Sequence, residues 1–256
     1  MTDHLRQAMR AAVQCNNMAA TLIEASHLQD ALDVARGAAV IMQGVHECLI
    51  NEGAFASLNQ QQRGPVSPAP QEPSQTSSVI PEMSAETIEK AEEEVELMKQ
   101  RAAASATSAW LLQQEHSFFF SKPIRLDDRE PNLDDLIDCS VVSATIVYNM
   151  GLANHMCGTE SHIREASNLF QLAFTLAVEA GSTDPRCQKI VLAALNNTGE
   201  IYHFFGEYQM AQELIDTLYK FVSTLPPVAD AETMKDRHQI LLNSMLLRQP
   251  KFASAA

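Results

Sequence analysis

Apolar residues recur at helical spacing along most of this chain. Met9, Val13, Ala20 and Ile23 share one stripe, and Leu28, Ala31, Val34, Ala38 and Ile41 share a second, the period of two amphipathic helices. Only Ala25-Ser26-His27 separates them, so residues 1–53 are expected to fold as an antiparallel hairpin. Over 54–83 the pattern stops. The stretch is rich in Pro, Gln and Ser and holds too few large apolar groups to offset the entropy of ordering, so a disordered linker is expected. Its Pro65-to-Pro68 spacing and Ser67-Pro68 pair are patterns that arise by chance in Pro-rich linkers.

Ser84 fits the N-cap of a helix reaching Gln114, with Ile88, Ala91, Val95 and Met98 on one stripe. Glu86, Glu89, Glu92, Glu93, Glu94 and Glu96 crowd its first turns, where the helix dipole favours acids, and they read as a solvated face. Ser117 to Pro131 (SFFFSKPIRLDDREP) has no helical period. It reads as an extended segment that Phe118, Phe119 and Phe120 pin to the helical core. Beyond it, helices are expected near 132–157, 160–181, 184–205, 208–223 and 229–248, with breaks at Gly158, Gly181 to Pro185, Gly206 and Pro226-Pro227. In the last helix Ile240, Leu241, Met245 and Leu246 are assigned to one apolar face that caps the array.

One pattern repeats. Without gaps, Asn196-Asn197 of LNNTGEIYHFFGEYQMAQELIDTLY falls on Asn16-Asn17 of CNNMAATLIEASHLQDALDVARGAA, Gly199 on Ala19, Tyr202 on Leu22, Tyr208 on Leu28 and Ala211 on Ala31. A further copy runs Tyr148-Asn149-Met150-Gly151, followed after a slightly longer turn by Ala166, Phe170 and Ala173. A small residue in each first helix (Ala19, Gly151, Gly199) admits the second helix closely, and Ala31, Ala166 and Ala211 receive it. One hairpin cannot bury its own face, so neighbours must stack on it.

These segments resemble the tetratricopeptide repeat, and the copy at Leu195 is similar to repeats of the kinesin-light-chain type. The architecture also resembles expanded tetratricopeptide-like families of unicellular eukaryotes. The implied fold is all-α: a short right-handed α-solenoid of antiparallel hairpins over 84–256, closed by a capping helix. The resemblance further implies a concave groove lined by the first helices. By position, Asn16, Asn17, Ala20 and Ile23 face it from the first copy. Tyr148, Asn149, Leu152 and His155 follow from the second, and Asn196, Asn197, Glu200, His203 and Phe204 from the third. Asn17, Asn149 and Asn197 recur at one site, and a ladder of amides can donate to and accept from the backbone of an extended peptide. The family's clamp for chaperone tails needs Lys and Arg beside such asparagines. Here the neighbours Val13, Thr145, Tyr148, Ala193 and Asn196 are uncharged, which disfavours an acidic chain terminus.

Composition narrows the partner. The 256 residues are 46% apolar and only 6% aromatic, with nine glycines, a helix-favouring balance. A formal charge of −14, with 18 Lys and Arg spread thinly, disfavours nucleic acid and anionic lipid. It suits a neutral or basic protein or peptide partner. No apolar run approaches the roughly 20 residues needed to span a bilayer, and MTDHLRQAMR lacks the uninterrupted apolar core of a secretory signal, so no membrane span and no secretory leader are expected. Five cysteines, Cys15, Cys48, Cys139, Cys157 and Cys187, are an odd, widely spaced set that suits a reducing compartment. The expectation is cytoplasmic, with the nucleus as an alternative.

Little else points to chemistry. Asp127, Asp128, Glu130, Asp134 and Asp135 lack the alternating ligands and glycine of a calcium loop, and fit a helix start capped by Asn132. His155, Cys157 and His162 lack the paired spacing and fourth ligand of a zinc site. The sequon Asn196-Asn197-Thr198 lies mid-helix. No phosphate loop, nucleophile elbow or zinc helix appears. The reading is therefore a non-catalytic interaction scaffold without cofactor or metal. The alternative is a structural or assembly protein that self-associates through helix faces.

Overall fold

The computed structural model describes residues 3–61, 119–127, 136–181, 184–225 and 231–248. Among these it is all-helical, without strands. The helices are α1 (Asp3–Glu24), α2 (Leu28–Gln61), α3 (Leu136–Cys157), α4 (Glu160–Ala180), α5 (Pro185–Phe204), α6 (Tyr208–Thr224) and α7 (Ala231–Arg248). Residues 119–127 are extended and belong to no helix. Those between 62 and 118, which carry most of the expected linker and the expected helix from Ser84, lie outside the described residues. So do Phe118, Asp128, Glu130, Asn132, Asp134 and Asp135.

Turn chemistry sets the helix boundaries. Gly158 and Gly206 take φ of 74° and 79°, and Ser26 takes 61° at the matching place in the first copy. In all three turns the amide of this residue donates three residues back, to Ile23, His155 or His203. Thr159 caps α4 and Asp184 caps α5, whose first residue is Pro185, a residue with no N–H to leave unsatisfied. The second hairpin therefore turns in register with the others, so the longer turn expected there is absent. Helix α2 also runs past its expected end at residue 53, to Gln61. Ala54 to Gln61 contains no Gly or Pro, and the first breaker is Gly64-Pro65.

Helices pack pairwise, α1 on α2, α3 on α4 and α5 on α6, and the pairs meet where α2 contacts α3 and α4 contacts α5. The first helices also touch one another, α1 with α3 and α3 with α5, and α7 lies chiefly against α5. One apolar cluster runs from Leu5 to Ile240, so the N-terminal hairpin and the later helices share a core. Ala19, Ala31, Ala166 and Ala211 are buried. At Gly199 the helices leave room for a side chain, since a Cβ there would stand 3.9 Å from Ala211, Leu214 and Ile215, an ordinary contact. At Gly151 the nearest neighbour is not a small residue. The Phe170 ring lies 2.9 Å from where its Cβ would stand.

On α7 the expected apolar face needs revision. Ile240 is buried, but Leu241 is half-buried and Met245 is exposed, while the side chain of Leu246 lies outside the description. The buried face is instead Asp236, Ile240, Asn243, Ser244 and Leu247. Asp236 on it meets Lys122 and Lys189, which a reading by hydrophobic period cannot see, and the Ser244 hydroxyl bonds back to the Ile240 carbonyl of its own helix.

Candidate functional site

The inner faces of α1, α3 and α5 form a trough, and residues 119–127 of the same chain fill it. Three asparagines hold that segment by its main chain. Asn17 Oδ1 accepts from the Leu126 amide at 2.8 Å while its Nδ2 donates to the Leu126 carbonyl at 2.8 Å. Asn149 does the same to Ile124, at 2.9 and 2.8 Å. Asn197 does so to Phe120, at 2.8 and 3.2 Å. The segment thus runs from α5 across α3 to α1, counter to the order of the helices. An extended residue displays both its polar groups on one edge, and a carboxamide offers one donor and one acceptor to match them. The three amides form a ladder, and what they hold is a segment of the same chain.

Each asparagine also has a helix-borne neighbour. Asn16 donates to Asn17 at 3.4 Å, Asn149 donates to Asn16 at 2.8 Å, and Asn196 donates to Asn197 at 3.0 Å. Asn16 reaches the Ile124 carbonyl as well, at 3.2 Å. Tyr148, fully buried, donates its hydroxyl to the Phe120 carbonyl at 3.2 Å, and burial raises its pKa well above the ordinary phenol. It is a neutral hydrogen-bonding group here.

Side chains of the segment settle into separate places. Phe119 stacks on His155, with ring centres 3.7 Å apart and planes 7° apart, and tilts against Phe170. His155 in turn lies 3.3 Å from Glu200. Phe120, Ile124 and Leu126 are buried. Lys122 reaches Asp236 of α7, whose other oxygen takes Lys189 of α5 at 3.0 Å. Burial alone would raise the Asp236 carboxyl, but the two ammonium groups hold it below the usual carboxylate range. Arg125 spans the rim of α1, donating to Glu24 at 2.6 Å, to Thr21 at 3.1 Å and to the Asn17 carbonyl at 3.0 Å.

The residues expected at the groove divide accordingly. Asn17, Tyr148, Asn149 and Asn197 touch the segment directly, His155 holds its first ring, and Asn196 and Glu200 back up contacting groups. Leu152 is fully buried in the core. His203 and Phe204 sit at the far turn of α5. His203 packs edge-on to Tyr208, and Phe204 is 64% exposed and meets Phe205. Sequence reading missed Glu24, Thr21, Lys189 and Asp236. It also assigned the segment to the core without connecting it to the ladder. The alternation of Phe120, Lys122, Ile124 and Leu126, all on one parity, was the available signal.

Among the described residues, no group of three or more His, Cys, Asp or Glu is arranged to hold a metal ion. Burial pushes the Cys15 and Cys187 thiols up to about 11, which keeps them protonated and poorly nucleophilic at neutral pH. Among the described residues no helix is long and apolar enough to cross a membrane. No family model, curated protein or solved structure matches this chain.

Proposed function

We propose that this chain is a protein-interaction scaffold without catalytic activity. In this reading it is a short, right-handed tetratricopeptide-like solenoid that grips an extended polypeptide by its main chain. The observation that carries the proposal is the ladder of Asn17, Asn149 and Asn197, each spending both its donor and its acceptor on one residue of an extended segment. Such contacts give affinity that is indifferent to side chains, and the flanking pockets add selectivity. Glu24 and Asp236 answer Arg125 and Lys122 of the resident segment, which supports a partner of neutral or basic character.

A specific observation favours a second reading, that of an assembly protein. Met234, Leu242 and Met245 on α7 are 43%, 52% and 57% exposed, and an apolar helix face left open invites self-association. The double variant Asn149→Ala/Asn197→Ala, made in the full chain and checked for helical circular dichroism, separates the two. Loss of a partner that the unmodified chain retains supports the scaffold. Unaltered partner recovery, with Leu242→Glu/Met245→Glu dissolving an oligomer, supports assembly.

A further inference from the structure

The trough is built to stay formed when its occupant leaves. Each of the three asparagines that grip the main chain of the segment keeps a second partner carried by a helix. Asn149 keeps Asn16, Asn197 keeps Asn196, and Asn17 keeps the amide of Asn16. Asp236, which takes Lys122, keeps Lys189. After departure of residues 119–127 Asp236 therefore still has Lys189, and each of the three amides still has a helix-borne neighbour. The helices retain their own packing too, because α1 on α2, α3 on α4, and α5 on α6 meet through faces that hold Ala31, Ala166 and Ala211. The main-chain bonds of Phe120, Ile124 and Leu126 end on side chains, so no helical ladder is broken by their release.

The occupant also has a defined chemistry. The trough takes an aromatic ring on His155 and Phe170, the buried ring of Phe120, whose carbonyl accepts from the Tyr148 hydroxyl, and the buried aliphatic groups of Ile124 and Leu126. A cation is received at Asp236 and another at Glu24. The carboxylate at the first of these sites is 4% exposed, where a charge is screened least. The chain's net charge of −14 draws cationic segments toward the site.

Resting on the scaffold reading, we propose that residues 119–127 are an exchangeable resident, and that the trough accepts in their place an extended, basic segment of another protein. Such a segment has paired aromatics followed by lysine, an aliphatic residue, arginine and a second aliphatic residue. The resident competes from a high effective concentration because it is tethered. A partner displaces it by matching the same contacts at high affinity.

Two measurements on the full chain test this. In native-state hydrogen exchange, the amides of Phe120, Ile124 and Leu126 are expected to exchange at least about tenfold faster than buried helix amides such as those of Tyr148 and Ile190, the signature of local opening. Exchange of all five at one rate, by global unfolding only, overturns the proposal. It leaves the scaffold reading to its own partner test, since no partner enters this measurement. In the second, a labelled synthetic peptide spanning Ser117–Asp128 is titrated against the full-length Phe120→Ala/Ile124→Ala variant. The peptide should bind at least about tenfold tighter than the same peptide carrying Lys122→Glu and Arg125→Glu, a gap set by its two ion pairs. Equal binding of the two peptides, or binding of neither, overturns the basic-segment assignment.

Discussion

Asn149 holds Ile124 by both of its main-chain polar groups, accepting from the amide at 2.9 Å and donating to the carbonyl at 2.8 Å. Both residues are buried, Asn149 fully so. A polar side chain is expensive to bury without partners. Here the two residues satisfy each other, and the same device recurs at Asn17 and Asn197. The contact joins α3 to a segment with no regular structure of its own, so its loss should be felt in both.

Replacing Asn149 with Ala removes the acceptor of the buried Ile124 amide, while the carbonyl keeps Asn16 at 3.2 Å, and costs about 1–3 kcal/mol. Asn17→Ala, at the more exposed end, should cost about 1 kcal/mol because water can reach the freed groups. Urea unfolding followed by circular dichroism measures both. Equal losses at the two positions would contradict this account of the ladder.

The two glycines of the first helices should respond with opposite signs. A Cβ at Gly151 would stand 2.9 Å from the buried Phe170 ring and 3.3 Å from Leu169, so Gly151→Ala overpacks the α3–α4 contact and costs about 1–2 kcal/mol. At Gly199 the nearest atoms lie at 3.9 Å, an ordinary contact. There alanine gains helix propensity, and Gly199→Ala should stabilise by up to about 1 kcal/mol. Thermal unfolding of the two variants tests the difference.

Ser26 occupies the left-handed region at φ 61°, where the matching turns use Gly158 and Gly206. An L side chain is disfavoured there by about 1–2 kcal/mol, part of which glycine returns through its freer unfolded chain. Ser26→Gly should therefore stabilise by about 0.5–1 kcal/mol, read from the urea midpoint at unchanged slope. Gly206→Ala should do the reverse.

Asp236 sets an acid limit on the fold. Its carboxyl is held below its ordinary value of 3.8, because Lys122 and Lys189 outweigh the burial that would raise it. A carboxyl depressed on folding lends stability that is complete above its unfolded pKa and is lost as pH falls through the folded one. Unfolding measured from pH 6 to about pH 2 should steepen below the ordinary carboxylate range near 3.9. Asp236→Asn should be less stable at pH 6 and lose less further stability on acidification. An unchanged acid limb in that variant would show that this cluster carries none of the effect.

The sequence by itself determined the all-helical class and where most helices break. Helical period and Gly158 and Gly206 as turn residues are local signals, because each acts within a few residues of chain, while the length of the second turn and the end of α2 were settled only by the structure. The recurrence of Asn17, Asn149 and Asn197 at one site was also legible, since each stands two residues before the small residue Ala19, Gly151 or Gly199. Only the tertiary structure decided what those amides hold. Asn17 and Leu126 are separated by 109 positions, and no periodicity reports a contact between a helix and a distant extended segment. The buried face of α7 escaped for a related reason. Asp236 is buried because Lys122 and Lys189 converge on it, and burial of a charge depends on partners that folding alone brings together.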